Sequence, residues 1–268
     1  MKKWSLILLI VAWSSAIPVK AEKEHQPLGK AHAHNDYYHN RPLLDALAQG
    51  FCSVEADVFL KNGKLLVGHS QLELRENRSL ESLYLAPLAK RVKANGGSVH
   101  KIKASFHLMI DFKTDGPKTY AALQPLLEKY RFMLTEFEPS KTKTKAVTIV
   151  ISGSRPRDLM EKQKKRLAGY DGRLSDFGQA ASPHFMPWIS DSWRSHFKWR
   201  GRGEMPEAEQ DKLRRIVRQV HKDGKKVRFW AAPDNPAAWE ALHKAGVDFI
   251  NTDQLDELAK FLRAKLSN

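Results

Sequence analysis

Short runs rich in β-branched and aromatic residues recur along this chain, and longer stretches of helical character fall between them. That alternation restricts the chain to a parallel α/β architecture, in which each helix carries the chain back to begin the next strand alongside the last. Eight runs read as strands: Ala31 to His34, Ser53 to Leu60, His107 to Lys113, Ala146 to Ile151, Gly172 to Asp176, Phe185 to Ser190, Lys226 to Ala231 and Asp248 to Thr252. Helical stretches are Pro42 to Gln49, Ser79 to Lys93, Thr119 to Tyr130, Arg155 to Arg166, Glu207 to Lys222 and Ala237 to Lys244, with a closing helix from Leu255 to Leu266. Asp234-Asn235-Pro236 supplies a start signal for the sixth, and Gly246 a stop. An open doubly wound sheet shares much of this pattern but usually carries a glycine-rich phosphate loop after an early strand. Gly96-Gly97 is the nearest equivalent, and it precedes no helix. No internal repeat, low-complexity segment or Pro/Gly/Ser-rich linker divides the chain. The expected fold is therefore α/β, a single (β/α)8 TIM barrel.

The N-terminus reads differently. Lys2 and Lys3 precede an uncharged run from Trp4 to Trp13, and Val19-Lys20-Ala21 suits cleavage after Ala21. Residues 1–21 are thus expected to be a secretory signal peptide. An uncleaved anchor is the alternative, although the run is shorter than the roughly 20 residues that span a bilayer. Cleavage leaves a barrel domain over residues 22–268, exported to the periplasm or beyond the cell. The chain has one cysteine, Cys52, in an apolar setting, so internal disulfides contribute nothing to its stability. The formal charge is +15, and falls to about +12 without Lys2, Lys3 and Lys20. Such an excess favours anionic partners: a phosphate ester substrate, or peripheral contact with an anionic membrane. Basic residues are mostly scattered, and none of the denser runs carries the interleaved aromatics of a nucleic-acid site, so no nucleic-acid partner is expected.

In a parallel barrel, functional groups gather at the C-terminal ends of strands. Glu55 and Asp57 lie two apart on the second run, so strand alternation sends both carboxylates to one face. Two such acids repel each other unless a cation or a basic group sits between them. Oxygen donors of this kind suit a hard divalent metal, Mg²⁺ or Ca²⁺. The third run repeats the device with Asp111 and Lys113: Asp111 would complete the metal site and Lys113 would offer a fixed positive charge for phosphate. His32 and His34 share a face at the end of the first run, followed by Asn35 and Asp36. His69 comes 12 residues after Asp57, beyond a hairpin-like excursion through Asn62-Gly63. Two histidines beside a carboxylate-held metal suit phosphodiester cleavage, one taking a proton from the nucleophile and the other giving one to the leaving oxygen.

Taken together, His34-Asn-Asp, Glu55-x-Asp57, Val67-Gly-His69 and Asp111-x-Lys113 resemble the phosphatidylinositol-specific phospholipase C-like phosphodiesterase superfamily. That group includes glycerophosphodiester phosphodiesterases and sphingomyelinase D-type phospholipases. The likeness is strongest to the branch named after yeast altered inheritance of mitochondria protein 6. It is carried by Ala33-His-Asn-Asp-Tyr37, Ser53-Val-Glu-Ala-Asp-Val58, Arg228-Phe-Trp-Ala-Ala-Pro233 and Gly246-Val-Asp-Phe-Ile-Asn-Thr-Asp253. The resemblance implies a catalytic pair at His34 and His69, with a Mg²⁺ or Ca²⁺ site at Glu55, Asp57 and Asp111. It places Lys113 on the phosphate and Trp230 in the pocket wall, with Asn251 and Asp253 facing the same mouth. It also prefers His34 over His32, a choice the residues alone leave open. One departure matters: glycerophosphodiester phosphodiesterases usually carry Pro-Glu-Asn-Thr soon after the first histidine, whereas this chain has Tyr37-Tyr-His-Asn-Arg-Pro42.

Two other readings compete. An amidohydrolase-like barrel would use His32-x-His34 to bind a Zn²⁺-type ion, but it needs further His or Lys ligands on middle strands and leaves Glu55 and Asp57 unused. The other is not an enzyme: a basic exported barrel that binds anionic lipid headgroups without turnover. The substrate alcohol, and the choice between hydrolysis and cyclising transfer, lie beyond these residues.

Overall fold

The computed structural model describes residues 25–177 and 181–266. The expected signal segment lies outside the described residues. The first half of the chain contributes β1 (Leu28–Ala33), α1 (Leu44–Ala48), β2 (Phe51–Lys61), β3 (Lys64–Val67), α2 (Ala86–Ala94), β4 (Phe106–Phe112) and α3 (Gly116–Lys129). Next come β5 (Glu136–Phe137), β6 (Thr142–Lys143), β7 (Val147–Gly153), α4 (Arg157–Glu161), β8 (Ala168–Gly172), β9 (Trp188–Ser192) and α5 (Trp193–His196). The chain closes with α6 (Glu207–Lys222), β10 (Lys226–Trp230), α7 (Pro236–Ala245), β11 (Ile250–Thr252) and α8 (Leu255–Leu266). No helix among the described residues is long and apolar enough to cross a membrane.

Eight strands run parallel in the order β10-β9-β8-β7-β4-β2-β1-β11. A parallel bridge between Arg228 and Phe249 joins the two ends, so the sheet forms the expected (β/α)8 barrel with one lightly bonded seam. Two packing regions follow from strand alternation. Residues facing outward, such as Val54, Ala56, Leu108, Ile110, Ile149 and Ile151, pack against the helices in the main core. Met109, Val150, Trp188 and Phe249 form a separate cluster; in register these positions alternate with the outward set, and so fill the barrel itself. The helices obey local chemistry. Asp115 caps α3 by accepting from the Lys118 amide at 2.9 Å, and Asn235 caps α7 through the Ala238 amide at 3.0 Å. Gly246 ends α7 at φ +85°, where only glycine is comfortable.

Two strand readings shift. The fifth barrel strand is Ala168–Gly172 rather than Gly172 to Asp176, and the sixth is Trp188–Ser192 rather than Phe185 to Ser190. Glycine is a poor strand former, and hides the fifth strand in the sequence. It stands at 172 because a Cβ there would collide with the Met186 side chain, a close approach of the kind that places glycine in strands. The fourth helix spans only Arg157–Glu161, and the small β5–β6 sheet was not anticipated. The excursion before His69 is a true hairpin, β2 pairing antiparallel with β3 from Val58↔Val67 to Lys61↔Lys64.

Gly153, at the end of β7, has φ +69°, and a Cβ there would come within 2.5 Å of Asp111 Oδ1 and collide with the Phe112 backbone. Gly153→Ala should cost about 3 kcal/mol, combining left-handed strain with a backbone clash. Urea unfolding measures this directly, and a variant as stable as wild type would refute the close-approach reading.

Candidate active site

The inward face of β2 delivers Ser53, Glu55 and Asp57 to the barrel interior, and β4 lies in register so that Asp57 stands opposite Asp111. Glu55, Asp57 and Asp111 each offer a carboxylate oxygen, all within 4.8 Å of one another. Lys113, one residue beyond β4, is 3.0 Å from Asp57 and 2.9 Å from Asp111. The β2–β3 hairpin then returns the chain to the same rim. Its last pairing places His69 beside Asp57, with Nδ1 3.2 Å from Asp57 Oδ2. On β1, His32 points into the barrel, and its Nδ1 lies 2.7 Å from Ser53 Oγ. His34, just past the strand, meets Asp253 Oδ1 at 2.9 Å.

Burying these acids has an electrostatic consequence at each one. Burial opposes ionisation of Glu55, yet the Arg228 guanidinium at 2.6 Å outweighs it and holds the carboxyl well below its ordinary range. Arg228 is itself buried and is steadied by Asn251, whose Oδ1 accepts from Nε at 2.9 Å. For Asp57 and Asp111, burial and then the nearby Glu55 charge push the carboxyls upward, Asp111 to about 6, with Lys113 pulling the other way. His32 is driven down to about 4 by burial and by the Arg228 charge, so it is neutral at pH 7. His34 is raised, because its bond to Asp253 and the Glu55 charge outweigh burial. These raised carboxyls call for further positive charge, and the buried Asp57 Oδ1 has no hydrogen-bond partner among the described residues. Three hard oxygen donors, two of them buried, make a group able to hold a divalent metal ion.

The structure thus brings together Glu55, Asp57, Asp111, Lys113, His34 and His69, with His32 beneath Glu55. Asn35 reaches the group through Tyr37, whose hydroxyl is 2.8 Å from Asn35 Oδ1. Asp253 touches it through His34, and Asn251 through Arg228. Trp230 ends β10, and the Arg173 guanidinium lies over its ring at 4.7 Å. Asp36 is the exception. Its carboxylate turns away to accept from the Leu43 amide at 2.5 Å and the Tyr84 hydroxyl at 3.0 Å, and so anchors α1 rather than facing the mouth. Three residues were missed. Tyr37 donates to Asp57 Oδ2 at 2.7 Å, so the loop that departs from the glycerophosphodiesterase pattern supports a carboxylate. Arg228 and Asp171 are buried charges on barrel strands. Alternation with Trp230 would have turned Arg228 inward, whereas Asp171 was lost with the misplaced fifth strand.

A protein-family model for the AIM6-like phosphodiesterase domain matches residues 21–171. The chain belongs to that family. A second model, for the glycerophosphoryl diester phosphodiesterase family, matches residues 226–256, which carry Arg228, Trp230 and Asn251. Altered inheritance of mitochondria protein 6 from Eremothecium gossypii is 30% identical, over 90% of this chain and 72% of its own length. A homolog from Arthroderma benhamiae is 28% identical, over 84% of this chain and 81% of its own. In structure, the AIM6-like chain resembles a glycerophosphodiester phosphodiesterase from Parabacteroides distasonis, with a TM-score of 0.53 and 15% identity over 90% of this chain and all of that one. At that identity the likeness is one of fold.

Asp36 offers a test of this placement. Burial pushes its carboxyl up to about 7, so the folded state favours the protonated form. That stabilisation is complete below the unfolded value of roughly 3.9 and is lost as pH rises through about 7. In urea unfolding across this window, Asp36→Asn should flatten the decline in stability seen for wild type. Equal slopes for the two proteins would remove Asp36 from this role.

Proposed function

We propose that this AIM6-like protein is an exported, divalent-metal-dependent phosphodiesterase acting on a glycerophosphodiester or a phospholipid headgroup. The observation that carries the reading is the convergence of three carboxylate oxygens within 4.8 Å, with His34 and His69 on the strand-end loops beside them. Glu55, Asp57 and Asp111 would hold Mg²⁺ or Ca²⁺, which supplies charge stabilisation at a phosphoryl oxygen. The chain's residues do the rest. Asp253 accepts from His34 Nδ1 and so leaves Nε2 as the basic atom that takes a proton. Asp57 orients His69 in the same way through Nδ1; His69 is assigned the complementary role, entering protonated and giving its Nε2 proton to the leaving oxygen. Lys113 spans Asp57 and Asp111 and adds a fixed cation for the phosphate. Arg228 keeps Glu55 ionised, so the acid cluster retains its charge at neutral pH.

Export rests on the pattern of residues 1–21, and the intact mass of the secreted protein should correspond to a chain beginning at Glu22. A peripheral anionic membrane is a fitting site of action for a basic protein with a lipid-headgroup substrate. The Zn²⁺ alternative is disfavoured because His32 Nδ1 is engaged by Ser53 Oγ and its Nε2 faces Glu55.

The activity test uses bis-p-nitrophenyl phosphate, glycerophosphodiesters and lysophospholipids with Mg²⁺ or Ca²⁺. Chelation should abolish turnover and readdition restore it, and His34→Ala should lower kcat by about 10²–10⁴. Glu55→Gln should raise the metal concentration needed for half-maximal turnover. Failure of the wild-type protein to turn over any of these substrates would sink the phosphodiesterase reading.

A further inference from the structure

The acid cluster occupies the β1–β2–β4 side of the mouth, and arginines gather on the opposite side around β8. Asp171 on β8 is fully buried. Its carboxylate accepts from Ser152 Oγ at 2.8 Å, Ser190 Oγ at 2.6 Å and Arg173 at 2.8 Å. A second guanidinium, that of Arg155, bonds to the Asp171 carbonyl. The neighbouring carboxylates are already engaged: Asp176 with Arg157 at 2.8 Å, and Asp191 with His196 at 3.3 Å. Two guanidiniums therefore converge on the one residue Asp171, Arg173 through its carboxylate and Arg155 through its carbonyl.

Arg173 is the one that faces the site. Its guanidinium lies over the Trp230 ring at 4.7 Å, and its side chain is 20% exposed. Among the described residues, its Nε–Nη2 edge meets only Ser152 Oγ, at 3.4 Å. Ser152 pairs with Asp111 in the sheet, so β7 alone separates Arg173 from the acid cluster. We propose that Arg173, held on Trp230, is an anion subsite that selects phosphodiesters whose second alcohol carries a carboxylate or a phosphate. The proposal rests on the phosphodiesterase reading and names its substrate class. An open guanidinium edge matches the two oxygens of such an anion. A quaternary ammonium alcohol seeks an aromatic face; here a cation already covers one face of Trp230 and repels it.

Three p-nitrophenyl phosphodiesters test this, with glycerate, glycerol or choline as the second alcohol and the same chromogenic product. Wild type should favour the glycerate ester over the choline ester by about tenfold in kcat/KM, chiefly through KM. Arg173→Gln should bring the glycerate-to-glycerol ratio close to one, and Arg173→Lys should retain part of it. Equal rates on all three esters, a preference for choline, or an Arg173→Gln variant that slows all three alike would overturn the subsite. If wild type turns over none of them, the phosphodiesterase reading falls. Calorimetry with 3-phosphoglycerate and phosphocholine then decides the subsite: tighter phosphoglycerate binding that Arg173→Gln abolishes supports it, and equal binding rejects it.

Discussion

A carboxylate inside a protein barrel must be given a counter-charge, and the ion pair between Glu55 and Arg228 meets that requirement at 2.6 Å with both groups buried. The pair does more than neutralise. Arg228 itself bridges to Phe249, just before β11, and it also holds Asn251 of β11. One guanidinium thus ties the first half of the barrel to its seam. Removing either member of such a pair leaves an uncompensated buried charge, which costs far more than the intact pair contributes. The same cation presses on His32 and keeps it neutral, which separates its role from that of the raised His34.

From this pair outward, the mouth is polarised. Carboxylates from β2 and β4 crowd together until burial and mutual repulsion raise Asp57 and Asp111. Lys113 relieves part of that repulsion, and the remainder is what a divalent cation would answer. Across β7 the acids are met by guanidiniums, with Arg155 and Arg173 gathered over Asp171. Gly153 stands at the boundary between the two sides, against Asp111. A phosphodiester has an anionic centre and two distinct alcohols, and a mouth with two electrically different sides can treat those alcohols differently.

Much of this was legible in the chain. The β/helix alternation specified the barrel, and the two-residue spacing of Glu55 and Asp57 turned both inward, because strand geometry is local. The strands read out of place are Ala168–Gly172, whose glycines answer to close packing rather than to strand propensity, and Trp188–Ser192, which overlaps its expected range but begins and ends later. The same limit explains Asp36: adjacent to His34 and Asn35, it looked like part of the site, yet the turn after β1 directs it to Leu43 and Tyr84.

The sequence by itself determined the fold class, from the alternation of strands and helices along the chain, and the inward carboxylates and the pairing of Asp111 with Lys113, from periodicity within one segment. Only the tertiary structure decided which distant groups answer them. Arg228 is 173 residues from Glu55, and Asp253 is 219 from His34. Barrel closure brings those partners together, and closure is a property of all eight strands at once, written in no single stretch of the chain.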